Sequence, residues 1–349
     1  MKAKRLRVAV FMGGRSSERE VSLSTGRQVL AALDPEKYDV CWIDPAHLGS
    51  AAGEVPPPEV APGDAFTIAP TPALTLLDPQ RRPDVVVICL HGRFGEDGTI
   101  QGMLDILGIP YVGSGVLGSA LAMNKVVAKH LMVAHGIPTP PWSAVRGRAE
   151  ADAFLADWRA GRTPIRPPAI VKPSDEGSTI GVTVVHDIEA MAAALETALH
   201  FGEEVLIETF LAGATEITVP VIGNDTLETL PIVEIVPHSG FYDYESKYTP
   251  GATDEIVPAR IPDAVAATAR DLAIRTHRAL RCRGMSRVDM LVLGEQVWVL
   301  EANTIPGMTP TSLLPRSAAA AGIPFPRLLD RLIELALEGR TVAPASRTP

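Results

Sequence analysis

The sequence predicts an α/β protein of more than one domain, on three observations. Asp84–Leu90 (DVVVICL) is apolar throughout, as expected of a central parallel strand buried on both faces. Strand-like apolar runs alternate with helical patterns from the N-terminus onward. Arg287–Gly307 (RVDMLVLGEQVWVLEANTIPG) reads as two apolar runs around a short polar break, the pattern of a hairpin. A length of 349 residues fits about two or three domains.

The elements follow in order. Leu6–Met12 is an apolar strand ending in Gly13-Gly14, and Ser17 with Glu20 fits an S-x-x-E capping box, so a helix is expected from there to about Leu33. Tyr38–Ile43 is a second strand, and 49–83, rich in Pro, Ala and Gly, reads as a loose connection. Asp84–Leu90 leads into HGRFGEDGT and a helical pattern at Ile100, Met103, Leu104 and Leu107. In such an open α/β unit ligands bind at the carboxyl ends of strands, where Glu18 and His91 both fall. A helix is expected from Lys125 to about His135, ended by GIPTPPW. Strands at 169–172, 181–185 and 204–208 with an Ala-rich helix near 187–200 make a middle part. Strands near 216–222 and 229–236, a helix at 263–280, the hairpin and a final helix at 325–338 make a third part.

The composition is that of a soluble globular chain, 46% hydrophobic and 21% charged. A net charge of −9 without a Lys/Arg block argues against a nucleic-acid partner. No run approaches the ~20 apolar residues of a membrane span, so no membrane partner is expected. The apolar stretch of MKAKRLRVAV ends too early for a signal peptide. Cys41, Cys89 and Cys282 are far apart with no CxxC, which reads as reduced thiols in a cytoplasmic protein.

Four segments carry chemistry. In the hairpin, a three-residue loop at 294–296 would pair Leu293 with Val297, placing Asp289 opposite Glu301 and Arg287 opposite Asn303. Like charges directly opposed destabilise a sheet, so a cation is expected between them; hard oxygen ligands without Cys or His suit Mg2+ or Mn2+. A solvated face with two carboxylates aligned by chance is the plain alternative. VKPSDEGSTIG (171–181) offers Lys172 and backbone N–H groups to an anion, or is an ordinary hairpin turn. HGRFGEDG (91–98) places His91 at a strand end, either as a substrate contact or as a hydrogen-bonded structural group; Glu96 and Asp97 are expected to be structural there. SGFYDYESKYTPGATDE (239–255) has neither period and reads as an active-site lid with Lys247 and Tyr248 at its tip, or as a disordered insertion. With Lys125, these pieces make a nucleotide triphosphate site.

The chain closely resembles the D-alanine–D-alanine ligases of the ATP-grasp superfamily. The resemblance rests on GGRSSEREVS (13–22), HGRFGEDGTIQG (91–102), VKPSDEGSTIG, FYDYESKY, SRVDM and EANTIPGMTPTSLLP (301–315), in that order. It implies an α/β (α+β) chain with the ATP-grasp fold in three domains: an N-terminal open parallel-sheet (preATP-grasp) domain at 1–124, a central domain at 125–210 and a C-terminal domain at 211–349, with lid 239–257 and Mg2+ hairpin 287–303. It implies ligation of two D-alanines with ATP through an acyl phosphate, for peptidoglycan precursors, and a homodimer. Lys125 and Lys172 match phosphate-contacting lysines, with Lys247 in the lid. Glu208, Phe210 and Leu211 match the segment that holds adenine, and Glu216 the ribose acid, one residue further along than in some relatives. Thr209 stands where many relatives have Lys. Asp289, Glu301 and Asn303 match ligands of two Mg2+ ions, which Mn2+ can replace. Glu18 matches the anchor of the first ammonium with His91 nearby, and Ser178 and Tyr248 match its hydrogen-bonding partners. Arg287 and the Gly307 backbone match oxyanion stabilisers, and Ser312 with the Leu313 amide matches the holder of the second carboxylate.

Two other readings stand beside this one. A ligase using D-serine or D-lactate as second substrate shares most of the motifs, but the depsipeptide formers carry His near Tyr248, and SKY favours an amine. A non-catalytic ATP-sensing module would lack a metal ligand or Arg287, and all four are present. Asp289→Asn or Glu301→Gln is expected to abolish turnover while sparing the fold, since either relieves opposed charges.

Overall fold

The computed structural model describes residues 5–48, 67–68, 72–175, 177, 181–239, 249, 251–309 and 312–338. The N-terminal part contains β1 (Leu6–Phe11), α1 (Arg19–Ala32), β2 (Tyr38–Ile43), β3 (Thr67–Ile68), α2 (Pro72–Leu77), β4 (Val85–Ile88) and α3 (Thr99–Ile106). Its sheet is parallel in the order β3-β2-β1-β4. Val85–Ile88 are all buried, as a strand covered on both faces requires. β3 and α2 lie inside the stretch read as a loose connection.

Two helices follow, α4 (Val116–Met123) and α5 (Lys125–Ala134), meeting at 99° with Asn124 capping the second through its side chain (Val127 N to Oδ1, 2.7 Å). No single described helix is long and apolar enough to cross a membrane. The central part comprises β5 (Trp142–Arg146), α6 (Gly147–Arg159), β6 (Ala169–Pro173), β7 (Thr183–Val185), α7 (Met191–Phe201) and β8 (Glu204–Thr209). Its antiparallel sheet has the order β5-β8-β6-β7, and its own core joins Val171, Val205 and Ile207 to Phe154 and Trp158 of α6 and to Met191 and Leu195 of α7.

The C-terminal part holds β9 (Thr215–Gly223), β10 (Leu227–Thr229), β11 (Val233–Pro237), β12 (Thr253–Ile256), α8 (Asp263–Ala279), β13 (Gly284–Leu293), β14 (Gln296–Asn303), α9 (Leu313–Ala320) and α10 (Phe325–Leu337). The sheet runs β12-β11-β9-β13-β14, with β10 on β9. α8 covers it, and Ala128 and Met132 of α5 enter the same core. On α10, Leu328, Leu329, Leu332 and Ile333 recur at helical spacing and pack into the core of the N-terminal sheet. At about 1.5–3 kcal/mol per buried side chain, they bind the chain's end firmly to its beginning. Asp330 on the same helix accepts from Lys37 Nζ (2.7 Å) and Tyr38 Oη (2.8 Å).

Two local expectations are corrected. α1 starts at Arg19 with Glu18 in the N-cap position and no side-chain cap bond, so Ser17 is not the capping serine. Instead Ser16 Oγ donates to His91 O (2.7 Å), tying this turn to the loop after β4. In the hairpin the loop is two residues, Gly294-Glu295, with Leu293 opposite Gln296 and Val292 opposite Val297. A bulge at Leu300, between Met290↔Val299 and Asp289↔Glu301, makes up the missing residue. Asp289 therefore does face Glu301 and Arg287 faces Asn303, by a different route.

Candidate active site

The N-cap position that Glu18 occupies brings its carboxylate against two glycines. A Cβ on Gly92 (φ +66°) would stand 2.5 Å from Glu18 Oε2, and one on Gly177 would stand 2.8 Å from it. A side chain at Gly92 would be strained by its positive φ, and one at either point would push the Glu18 carboxylate aside. Glu18 is buried and lines a cavity of about 530 Å3 together with His91, Lys125, Arg287, Glu301 and Asn303. Gly307, Ser312 and Leu313 complete its far wall. Nine of the residues singled out from sequence, lying as far apart as 18 and 313, thus meet in one chamber.

The hairpin brings Glu301 to that chamber, while Asp289, opposite it, is not among the lining residues, and each carboxylate has a cation beside it. Arg287 donates Nε and Nη2 to Asp289 Oδ1 and Oδ2 (2.9 and 2.8 Å), and Thr218 Oγ1 donates to the same carboxylate (2.6 Å). Lys125 Nζ lies 3.7 Å from Glu301 Oε2. Two side-chain cations thus stand beside the opposed carboxylates. Asn303 Oδ1 accepts from Ile305 N (3.0 Å), which turns the chain out of β14. Two carboxylates and an amide, all oxygen donors, fit a hard divalent ion that also takes phosphate oxygens. Among the described residues no three His, Cys, Asp or Glu converge, so such an ion would need the Asn303 amide or oxygens from a ligand.

At the far wall, Ser312 stands at the N-cap of α9 with Leu313 as its first residue, where backbone N–H groups favour a carboxylate. Ser312 Oγ accepts from Thr309 N (3.0 Å), and a Cβ on Gly307 would meet Ser312 Oγ at 2.8 Å.

A second group lies on the central sheet, outside the chamber's lining. Glu208, almost fully buried on β8, accepts from Lys172 Nζ (3.1 Å) on β6 and from Lys129 Nζ on α5. Burial alone would raise the Glu208 carboxyl, but the two lysines outweigh it and hold it below its usual range. Burial opposes charge on Lys172 too, and Glu208 and Glu301 reverse that and raise it. Phe210 and Leu211 follow β8 half-buried, with Phe210 N donating to Pro168 O (3.0 Å). Glu216, on β9, adds negative charge toward Lys172. Ser178, Lys247 and Tyr248 lie outside the described residues.

Sequence reasoning missed three of the groups gathered here. Lys129 carried a weak signal, a lysine on the apolar face of α5 one turn after Lys125. Glu255 of β12 lines the chamber with Arg316 at 2.8 Å, and no local pattern marks it. Glu96, expected to be structural, does close its turn by accepting from Gly92 N (2.8 Å), yet it also lines the chamber. Asp97 is structural, accepting from Phe94 N and Thr99 N (2.8 and 2.9 Å).

His91 and Glu96 set opposite pH dependences. Burial, helped by the charge of Arg287, lowers His91 to about 4, and Thr25 Oγ1 lies 3.2 Å from its Nε2. Burial and then the negative charge of Glu18 raise Glu96 to about 8. The stability that protonated Glu96 contributes is complete below its ordinary value of 4.5 and is lost as pH rises through 8. For His91, and for His277 (also lowered to about 4 by burial), the contribution is complete above 6.5 and lost as pH falls toward 4. Thermal unfolding followed against pH is expected to show a falling arm between 6.5 and 8 that Glu96→Gln flattens, with the arm below 6.5 retained.

Comparison with known proteins adds the following. The model for the D-ala D-ala ligase N-terminus matches residues 7–114, and that for the D-ala D-ala ligase C-terminus matches 131–334. The D-alanine–D-alanine ligase of Syntrophobacter fumaroxidans is 47% identical over 340 residues, covering 97% of this chain and 100% of the relative. That of Desulforamulus reducens is 45% identical over 338 residues, covering 95% and 99%. Among solved structures, D-alanine–D-alanine ligase from Bacillus anthracis complexed with ATP superposes with a TM-score of 0.73 at 32% identity, over 96% of this chain and 98% of that one. The Coxiella burnetii enzyme gives 0.78 at 29% identity, over 97% and 95%.

Proposed function

The chain belongs to the D-alanine–D-alanine ligase family, with its ATP-grasp fold, and we propose that its chamber joins two D-alanines at the expense of ATP. The observation that carries this is the meeting of Glu18, Lys125, Arg287, Glu301 and Ser312 in one cavity, each from a different stretch of chain.

The chemistry follows from the groups present. A carboxylate is a poor acyl donor. An oxygen of the first D-alanine's carboxylate attacks the γ-phosphorus of ATP, ADP leaves, and an acyl phosphate results. Glu18 anchors the ammonium of that D-alanine, and neutral His91 stands beside it without adding charge. Lys125 and Lys172 offset phosphate charge, the main requirement of phosphoryl transfer. Phe210 and Leu211 hold the adenine largely through backbone, and Glu216 the ribose; the Glu208 side chain is already engaged by lysines. Asp289, Glu301 and Asn303 would hold Mg2+, or Mn2+, at two sites; that charge would polarise the phosphate oxygens. The amine of the second D-alanine, its carboxylate held by Ser312 and the Leu313 amide at the start of α9, then attacks the acyl carbon. Negative charge develops on oxygen, where Arg287 and the Gly307 N–H are the donors. As the tetrahedral adduct collapses it expels phosphate, which carries off the amine's proton. Ser178, Lys247 and Tyr248 are proposed for orienting substrate and closing the lid, which keeps water from the acyl phosphate.

The product fits a role in peptidoglycan precursor synthesis and so in cell shape, in the cytoplasm and as a homodimer; family resemblance supports each of these. With ATP and Mg2+, D-alanine is expected to elicit phosphate release and a D-alanyl-D-alanine product. Release with D-lactate or D-serine as second substrate and none with D-alanine alone would replace this reading by the related ligases.

A further inference from the structure

Lys129 is a buried cation that the steps above leave unused. Its side chain is 1% exposed, in the middle of α5. Its Nζ donates to Glu208 Oε1 on β8, to Thr139 Oγ1 ahead of β5, and to Val299 O on β14 (3.4 Å). Glu208 Oε2 is left to Lys172 (3.1 Å). Two ammonium groups therefore share one carboxylate, an oxygen each, while the charge of Glu301 acts on both lysines and that of Glu216 on Lys172.

A bare Lys172–Glu208 pair would behave differently. With both carboxylate oxygens free to close on it, Lys172 would be neutralised one for one and would offer little field to a polyphosphate. We infer that Lys129 is a positioning residue of the nucleotide site: by holding one oxygen of Glu208 it keeps Lys172 aligned but not neutralised, so that its charge serves the ATP phosphates. The bond to Val299 O extends the arrangement, because β14 carries Glu301 two residues further on. One ammonium thus ties the lysine-bearing central sheet to the carboxylate hairpin.

This rests on the role proposed for Lys172 at the phosphates, and the test separates the two. Phosphate release by the wild-type enzyme with D-alanine decides the ligase reading by itself. Binding of ATP and of AMP is then measured for wild type and Lys129→Met, well below either unfolding temperature. ATP is expected to weaken about tenfold and AMP by no more than about twofold, with the KM for D-alanine unchanged. A purely structural Lys129 would lower the melting temperature and leave the ATP-to-AMP affinity ratio as it was, which overturns the inference. Should Lys129→Met not fold, Thr139→Val loosens the lysine while retaining every charge. It is expected to weaken ATP about two- to threefold and spare AMP, and an unchanged ratio there overturns the inference equally.

Discussion

Glu301→Gln is expected to lower ATP-dependent phosphate release by about a thousandfold or more while leaving the melting temperature almost unchanged, the loss reflecting several kcal/mol of charge stabilisation around the transferring phosphoryl group. The side chain is one-third exposed, and the Lys125 ammonium lies 3.7 Å from it. A pair so loose and wet contributes at most about 1 kcal/mol to stability. Asp289→Asn is expected to abolish turnover as fully but to behave differently in a melt. From the sequence alone, both substitutions relieve opposed charges and spare the fold. The structure changes that for Asp289, whose carboxylate takes two bonds from Arg287 with side chains only 12% and 15% exposed. Removing its charge takes away the bidentate partner of a largely buried guanidinium, a loss on the order of 3 kcal/mol. Calorimetry beside a phosphate-release assay reads both effects. Near-normal turnover in Glu301→Gln would remove the hairpin from the mechanism.

Arg287→Met is expected to cut kcat by about 10^2–10^3, the usual consequence of losing a donor aimed at a developing oxyanion, with a much smaller change in the KM for ATP. The substitution also strips Asp289 of its guanidinium, leaving it the Thr218 hydroxyl, so lost stability has to be separated from lost catalysis. Arg287→Lys makes that separation, because it keeps a cation beside Asp289 and gives up the planar fork that satisfies two oxygens at once. It is expected to recover most of the melting temperature and little of kcat. If Arg287→Lys turns over within about threefold of wild type, a point charge suffices there and the oxyanion role fails.

How much of this was legible in the sequence varies by residue. Side-chain parity placed Asp289 opposite Glu301, and the structure agrees, although a two-residue loop and a bulge at Leu300 replace the three-residue loop. Parity survives because one inserted residue has the same effect on register wherever it sits beyond the pair. The serine of S-x-x-E was misread because the same short pattern serves a cap or a turn. Here the turn is held by Ser16 on the neighbouring loop, a contact 75 residues away in sequence. α9 went unseen, since its eight residues, LLPRSAAA, are too short to show a period and start beside a polar loop.

The sequence by itself determined the α/β class, the hairpin with its facing carboxylates, the ordered blocks that place the chain in its family, and thereby the reaction. These are local: they depend on alternation, on spacing within a strand or loop, and on residue chemistry. Only the tertiary structure decided which charges meet. It put Lys129 and Lys172 on the two oxygens of Glu208, Lys125 near Glu301, and Glu96 beside Glu18. The physical reason is that a charge's partner and its burial are properties of the packed interior, where segments tens to hundreds of residues apart come within a few ångströms.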